Sequence, residues 1–199
     1  MKNSFLTTSF LLVAFVLRAG FNIGDQAADF TLKNVDNKLV TLSKYASDKG
    51  VVVVFTCNHC PFAKAYEDRL IALNNKYASK GYPFIFVNPN DPELVPEDSF
   101  EEMQKKAKEK NFSFPYVIDE KQEVYKKYGA TNTPHVYVLT NKNGKLYVSY
   151  VGTIDDNYRE PENVTKTYLA NALDALIAGK TPDPDVTKAI GCSIKDKNK

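Results

Sequence analysis

Two cysteines separated by two residues give this chain its most specific chemical motif. Cys57 and Cys60 belong to the segment CNHCP, which follows a run of strand-forming residues at 51–55 and precedes a helical pattern. At this spacing the sulfurs can close a disulfide ring when the second cysteine begins a helix, and the positive end of that helix favours a thiolate. The motif predicts a redox-active dithiol in which Cys57 attacks and Cys60 resolves, with the Cys57–Cys60 disulfide as its only redox group.

Two further residues bear on this chemistry, namely the histidine inside the motif and a third cysteine. His59 lies between the two sulfurs, where a positive charge would stabilise a thiolate, so we predict a tuning role; the alternative is a surface loop histidine. Cys192 follows two prolines near the C-terminus. The sequence leaves three alternatives for it: a free thiol, a link to another molecule, or a resolving thiol that folds back onto Cys57.

The residues around the motif predict an α/β fold that can position it. Residues 51–55 are uniformly apolar, which indicates a central strand with both faces buried. Pro61 suits the first turn of a helix, and Gly81 ends that helix. The other predicted elements are a hairpin at 30–32 and 39–42, strands at 84–87, 116–118, 136–139 and 145–151, and helices ending near 110 and at 120–128 and 164–178. This order predicts a mixed central sheet flanked by helices, with the helix ending near 110 as an insertion.

The first 19 residues have the features of an export signal. Lys2 precedes a mostly apolar run at 5–17, whose length suits a signal sequence better than a membrane span. Residues 17–19 (LRA) form an imperfect cleavage site, so an uncleaved anchor is the alternative, and only then would the protein contact a membrane. The sequence predicts an exported protein, periplasmic or otherwise extracytoplasmic, where disulfides persist.

Composition indicates one globular domain whose partners are not nucleic acids. Of the 199 residues, 43% are hydrophobic; the predicted domain occupies 20–180 and a tail occupies 181–199. Without Lys2 and Arg18, the 26 basic residues fall to 24, which equals the 24 acidic residues. Charges of both signs are interspersed, whereas a nucleic-acid-binding domain needs a basic face.

Three segments together give the chain a family resemblance. Besides CNHCP, they are GATNTP, which ends in Thr133 and Pro134 before a predicted strand, and DFTL at 29–32. The chain resembles the thioredoxin fold and, more closely, the exported peroxiredoxin-like redoxins related to the AhpC/TSA family. Its ending GCSIK is similar to the tail of that group.

The resemblance implies how a substrate would meet the dithiol. Pro134 is implied to be cis and to face the cysteines, which would leave the backbone of Thr133 free to pair with an extended substrate. His59 matches the histidine in the Cys-x-His-Cys motif of oxidising disulfide-exchange proteins. His135 follows directly and is implied to lie near the site.

The chain departs from the pattern of peroxiredoxins. Their peroxidatic cysteine aligns with Cys60, so that Cys57 stands where they carry a threonine and Val53 where they carry an upstream proline. The arginine that completes their peroxide site has no assigned counterpart. Because of these departures, disulfide exchange is the predicted activity and hydroperoxide reduction is the alternative.

The chain also departs from the sequence patterns of other thioredoxin-like proteins. Thr56 replaces the tryptophan that precedes the first cysteine in membrane-anchored thiol–disulfide proteins, and Val51 occupies the position of thioredoxin's buried acid. A carboxylate of the inserted loop is predicted to substitute for that acid, and the candidates are Asp91, Glu93 and Glu97.

These features predict a thiol–disulfide oxidoreductase that acts on protein dithiols and disulfides. A hydroperoxide reductase with an antioxidant role is the first alternative. A protein that binds Cu(I) or Zn²⁺ through Cys57, Cys60 and His135 is the second, since thiolates and imidazole suit both ions. Because the chain has neither a nucleotide-binding GxGxxG nor a Walker A motif, electrons are predicted to come from a redox partner protein. The direction of electron flow stays open.

Overall fold

The structure, a computed structural model, describes residues 20–197. Seven of its strands form one sheet and two short strands form a second. The strands are β1 (Thr31–Asn34), β2 (Leu39–Thr41), β3 (Gly50–Phe55), β4 (Phe84–Asn88), β5 (Tyr116–Ile118), β6 (Asn132–Thr133), β7 (His135–Lys142), β8 (Lys145–Gly152) and β9 (Cys192–Ser193). The export signal predicted at residues 1–19 lies outside the described residues.

The large sheet is mixed, as the sequence predicts. Its strand order is β2-β1-β5-β4-β3-β7-β8. The central strands β3, β4 and β5 are parallel to one another, whereas β1–β2, β1–β5, β3–β7 and β7–β8 are antiparallel pairs. The small sheet joins β6 to β9, which the sequence does not predict.

Helices cover both faces of the large sheet. They are α1 (Pro61–Tyr77), α2 (Phe100–Glu109), α3 (Val124–Tyr128) and α4 (Tyr168–Ile177). The first apolar cluster joins α1, α2 and α4 to one face, and the second joins α3 and the N-terminal segment to the other. This is the layered arrangement of a thioredoxin-like fold, and it confirms the predicted architecture. No described helix has the length and apolarity that a membrane crossing requires.

Strand β3 packs on both faces, which confirms it as a central strand. Val52 and Val54 belong to the first apolar cluster, and Val51 and Val53 belong to the second. All six residues of the strand are buried. Because successive side chains of a strand point to opposite faces, only a uniformly apolar sequence can fill both clusters. The cysteine motif is therefore attached to a fully buried strand at the centre of the sheet.

Helices α3 and α4 begin later than predicted, and α4 does so at Tyr168 rather than 164. Helix α2 follows a short 3-10 turn at Pro96–Asp98, and Ser99 occupies its N-cap without a side-chain hydrogen bond. Helix α3 begins at Val124 rather than 120. There the Asp119 carboxylate accepts the N–H groups of Glu123 at 3.2 Å and Tyr125 at 2.9 Å, which fixes a turn in front of the helix.

The core under α1 should determine the stability of the helix that carries Cys60. Leu70 of α1 is 0% exposed, whereas Leu39 of β2 is 68% exposed. We expect Leu70→Ala to lower the free energy of unfolding by about 2–5 kcal/mol. The same truncation at Leu39 should change it by less than about 0.5 kcal/mol. Urea denaturation of the two variants measures the difference, and equal losses would contradict this assignment of the core.

Candidate active site

The two cysteines of the motif lie where β3 ends and α1 begins. Cys60 is the N-cap residue of α1, and Pro61 occupies the first helical turn as predicted. Cys57 is 3% exposed and Cys60 is 0% exposed. Both are free thiols in the structure. Both residues are therefore buried, and the small exposed fraction belongs to Cys57.

Thr133 of β6, which directly precedes Pro134 and β7, contacts both sulfurs. Its hydroxyl Oγ1 lies 3.2 Å from Cys57 Sγ, and its backbone carbonyl accepts a hydrogen bond from Cys60 Sγ at 3.2 Å. The following bond, Thr133–Pro134, is cis in the structure. The segment that the resemblance places at the site thus lies directly against the dithiol.

The two thiols share one proton, so their acidities move apart. The pKa of Cys60 is lowered to about 4, chiefly by its hydrogen bond with Cys57; a hydrogen bond from Cys192 and the Ala63 backbone also lower it, whereas burial opposes the shift. The pKa of Cys57 is raised by the hydrogen bond with Cys60, by burial and by the charge of Asp98. Once one thiol has ionised, the second ionisation would place two negative charges together, so the pair holds a single charge near neutral pH.

A buried carboxylate, that of Asp98, organises the loop between the two cysteines. Its Oδ1 accepts the backbone N–H of Asn58 at 2.6 Å and that of His59 at 3.2 Å. Its Oδ2 accepts Nδ2–H of Asn90 at 2.7 Å and lies 2.5 Å from His59 Nδ1. The side chain of Asp98 is 0% exposed, so these partners compensate for the loss of water around its charge.

His59 lies between this carboxylate and the first sulfur. Its Nδ1 is 3.7 Å from Cys57 Sγ, in addition to its contact with Asp98. About a fifth of the His59 side chain, 22%, is exposed. The geometry therefore places the imidazole where its charge state acts directly on Cys57.

Asn58 is held by three elements as well as by Asp98. Its Oδ1 accepts the Tyr116 hydroxyl at 2.9 Å, its Nδ2–H donates to the Glu97 carbonyl at 2.9 Å, and its carbonyl accepts from Lys106 at 3.4 Å. The residue between the cysteines is thus bound to β5, to the loop before α2 and to α2 itself. These contacts make the motif loop a fixed part of the fold.

The structure corrects three expectations about the site. The backbone of Thr133 is not free, because β6 pairs with β9 and Thr133 lies opposite Cys192. The carboxylate that contacts the motif is that of Asp98, whereas the side chains predicted for that place, those of Asp91, Glu93 and Glu97, make no hydrogen bond to the motif within residues 20–197. Glu97 contributes only its backbone carbonyl.

The third correction concerns the predicted metal ligands. His135 is buried, its Nδ1 accepts the Thr131 N–H at 3.3 Å, and burial lowers its pKa to about 4. Among residues 20–197, the donor atoms that lie within 4.8 Å of one another belong to Cys57, His59 and Asp98. The set of Cys57, Cys60 and His135 is therefore not assembled.

Two residues of the site are not identified by the sequence. Asp98 sits beside three other carboxylates of one loop, and the available signal is Pro96, which starts the 3-10 turn that directs Asp98 inward and leaves Glu97 exposed. Cys192 packs against the cluster of Cys57, Cys60 and Ala63. From the sequence, a place for Cys192 at the dithiol is only one of three alternatives.

The topology and this geometry define the class: the chain is a thioredoxin-like protein with a dithiol at a helix N-terminus. The family description "AhpC/TSA family" matches residues 23–150, and the chain belongs to that family. A curated relative is the thiol-disulfide oxidoreductase ResA of Geobacillus thermodenitrificans, which is 27% identical over 143 residues, or 70% of this chain and 75% of the relative.

Two solved structures support the fold. The crystal structure of an uncharacterized conserved protein from Geobacillus kaustophilus has a TM-score of 0.82 and 43% identity, covering 90% of this chain and 94% of that one. The thioredoxin domain of a thiol-disulfide oxidoreductase from Bacteroides vulgatus has a TM-score of 0.54 and 20% identity, covering 67% and 91%. The first likeness extends over nearly the whole described chain, and the second shows the fold alone.

The charge of Asp98 should raise the pKa of Cys57. We expect Asp98→Asn to lower that pKa, because the variant loses the negative charge but keeps one oxygen to accept the Asn58 N–H. The pH dependence of iodoacetamide labelling in a Cys60→Ser, Cys192→Ser background measures Cys57 alone. Glu97→Gln is the matched control, since Glu97 is the neighbouring carboxylate and is exposed. Equal shifts in both variants, or no shift in Asp98→Asn, would contradict the assignment.

Proposed function

We propose that the protein is a thiol–disulfide oxidoreductase that acts on protein dithiols and disulfides through Cys57 and Cys60. The observation that carries the proposal is the position of the dithiol at the N-terminus of α1, where Thr133 contacts both sulfurs. A thiolate is the nucleophile of disulfide exchange. The name of the ResA relative supports the same reaction class.

The exchange begins at Cys57, the residue of the pair that retains a small exposed fraction. The shared proton moves from Cys57 to Cys60, and the Cys57 thiolate attacks one sulfur of a substrate disulfide. A mixed disulfide forms and the other substrate sulfur leaves as a thiolate, which takes up the proton of Cys60. The Cys60 thiolate then attacks Cys57, which closes the Cys57–Cys60 disulfide and releases the second substrate thiolate. The substrate gains two electrons and the pair loses two.

His59 tunes this first attack. As an imidazolium next to Asp98 it would place a positive charge between that carboxylate and the Cys57 sulfur, which lies 3.7 Å from Nδ1. The positive charge favours the Cys57 thiolate, whereas the carboxylate alone disfavours it. An imidazolium at this position would thus allow a charge to form on Cys57 despite the buried acid nearby.

The arginines of the described chain argue against peroxide reduction. Arg69 donates to the Asp155 carboxylate at 2.6 Å and to the carbonyls of Asn157 and Tyr158, both at 2.7 Å. Arg159 donates to the Tyr158 hydroxyl at 2.6 Å. Both guanidinium groups are therefore committed to the segment after β8 rather than to the two sulfurs.

The remaining parts of the proposal rest on the sequence. The protein needs no bound cofactor besides its own disulfide, and a redox partner protein supplies or removes the electrons. The N-terminal signal places it outside the cytoplasm, in the periplasm or an equivalent compartment, where protein disulfides are stable.

The roles of the two cysteines predict different variant behaviour. We expect Cys57→Ser to abolish exchange with a peptide disulfide, because the first attack is lost. Cys60→Ser should accumulate mixed disulfides, because the resolving thiolate is missing; these appear as dithiothreitol-sensitive bands on non-reducing gels. Ser193→Ala, at an exposed position, is the matched control and should retain exchange. A Cys60→Ser variant that traps nothing and keeps full peroxide turnover would contradict the assignment.

The pH dependence of the reduction potential tests the shared proton. Above a pKa of about 4, the reduced pair holds one proton fewer than two free thiols would, so reduction takes up one proton with two electrons. The potential should therefore fall by about 30 mV per pH unit between about pH 5 and 8, rather than twice as steeply. Glutathione equilibration followed by alkylation and mass measurement gives this slope.

The midpoint reduction potential of the Cys57–Cys60 disulfide gives a second test of the shared proton. Because a stabilised thiolate stabilises the reduced form, the midpoint at pH 7 should be more positive than thioredoxin's value of about −270 mV. A reduction potential that falls twice as steeply with pH as expected would contradict a thiolate at neutral pH. A pair that becomes reactive only after a chelator is added would favour a metal held by Cys57, His59 and Asp98 instead.

A further inference from the structure

The C-terminal tail brings a third cysteine to the dithiol. Strand β9 pairs antiparallel with β6, so that Cys192 lies opposite Thr133. Cys192 also packs against the cluster formed by Cys57, Cys60 and Ala63. Since Thr133 itself touches both sulfurs, three thiols meet around one residue.

The contacts around β9 hold Cys192 at this position. The Ile194 N–H donates to the Thr131 carbonyl at 3.2 Å, and Asn132 Nδ2–H donates to the Gly191 carbonyl at 2.8 Å. Gly191 approaches so closely that a Cβ there would lie 2.2 Å from the Thr133 carbonyl oxygen. A side chain at position 191 is thus incompatible with this pairing.

Contacts beyond β9 hold the tail at a second point. The Lys195 N–H donates to Asn90 Oδ1 at 2.8 Å, and its carbonyl accepts the Asp91 N–H at 3.0 Å and Gln122 Nε2–H at 2.8 Å. Ile194 is buried in the second apolar cluster. The tail is therefore part of the folded domain, and the position of Cys192 follows from it.

The neighbour of Cys192 within the pair is Cys60. Hydrogen bonds from the Cys192 side chain and backbone help to lower the pKa of Cys60, whereas Cys57 Sγ is contacted by Thr133 Oγ1 and His59 Nδ1. Burial raises the pKa of Cys192 to about 11, and the negative charge of Cys60 contributes to the same shift. Cys192 is thus a protonated thiol that lies beside Cys60.

We propose that Cys192 is a third redox-active thiol that exchanges onto Cys60 and forms a Cys60–Cys192 disulfide. The proposal rests on the proposed function, because the exchange begins from the oxidised Cys57–Cys60 pair. Cys192 Sγ attacks Cys60 Sγ, the Cys60–Cys192 bond forms and the Cys57–Cys60 bond breaks. Cys57 leaves as a thiolate and accepts the proton that Cys192 gives up, so no electron enters or leaves the protein.

The charge of the reduced pair restricts this step to the oxidised protein. In the reduced protein, the negative charge that Cys57 and Cys60 share repels a second thiolate at Cys192. When Cys60 enters a disulfide, that negative charge disappears, and the pKa of Cys192 falls toward its ordinary value. Oxidation of the pair therefore activates the third thiol.

The exchange has two consequences for the site. It returns Cys57 to the free thiol form, ready for another attack, while the oxidising equivalent is stored between Cys60 and Cys192. It also links β9 covalently to α1, so that the backbone of Thr133 stays covered by the tail.

The test maps the disulfides of variants in which one of the three cysteines is replaced by serine. Each full-length protein is oxidised in glutathione buffer, alkylated and digested with trypsin, which separates residues 50–64 from residues 189–195. We expect Cys57→Ser to join these two peptides. Cys60→Ser should join them at least about tenfold less, because effective concentration falls steeply when the sulfurs are not aligned. Equal yields in the two variants, or no joined peptides in Cys57→Ser, would overturn the proposal.

Further variants separate this inference from the proposed function. Cys192→Ser should still form the Cys57–Cys60 disulfide; if it does while Cys57→Ser forms no link, the inference fails and the proposed function stands. If Cys192→Ser shows no reversible couple, the proposed function fails. Gly191→Ala should reduce the joined peptides in the Cys57→Ser background, whereas Ser193→Ala should not. Should Cys57→Ser fail to fold, the joined peptides are sought in the oxidised wild-type protein, and their absence there overturns the inference.

Discussion

The buried charge of Asp98 is the constraint on which the site depends. A carboxylate removed from water is tolerated only when hydrogen bonds and opposite charge replace the solvent. The partners that do so are the N–H groups of Asn58 and His59, the imidazole of His59 and the amide of Asn90. Because these groups belong to the loops after β3 and β4, satisfying one charge fixes both loops. The conformation between the cysteines follows from that requirement.

Thr133 provides the second support, from the other side of the dithiol. Its hydroxyl and its carbonyl each contact one sulfur, so a shift of the loop before β7 would move both cysteines' environment at once. The same residue pairs with the tail through β9. The resemblance predicts that the backbone of Thr133 pairs with an extended substrate. In the structure, that backbone edge is occupied by the protein's own chain. A protein substrate that pairs at this edge must first displace β9, while a small disulfide needs only the sulfur of Cys57.

The parts of the fold that the sequence predicts are those set by local pattern. Residues 51–55 are apolar on both faces and form β3, and Pro61 begins α1 as its fixed φ angle favours. The residues that the sequence misses depend on long-range contacts. Asp98 and Glu97 are neighbouring carboxylates, and the 3-10 turn directs Asp98 inward and leaves Glu97 exposed. Cys192 reaches the site through a pairing across 59 residues, which no local periodicity reports.

The position of the acid also explains the composition of β3. An acid at Val51 would have to be buried at the centre of the sheet, where every neighbour in the second apolar cluster is a hydrocarbon or aromatic group. Moving the carboxylate to the loop before α2 places it at the edge, where backbone N–H groups and amides are available as partners. Strand β3 can then devote both faces to apolar burial. The fold thereby separates the residues that stabilise the sheet from those that set the acidity of the dithiol.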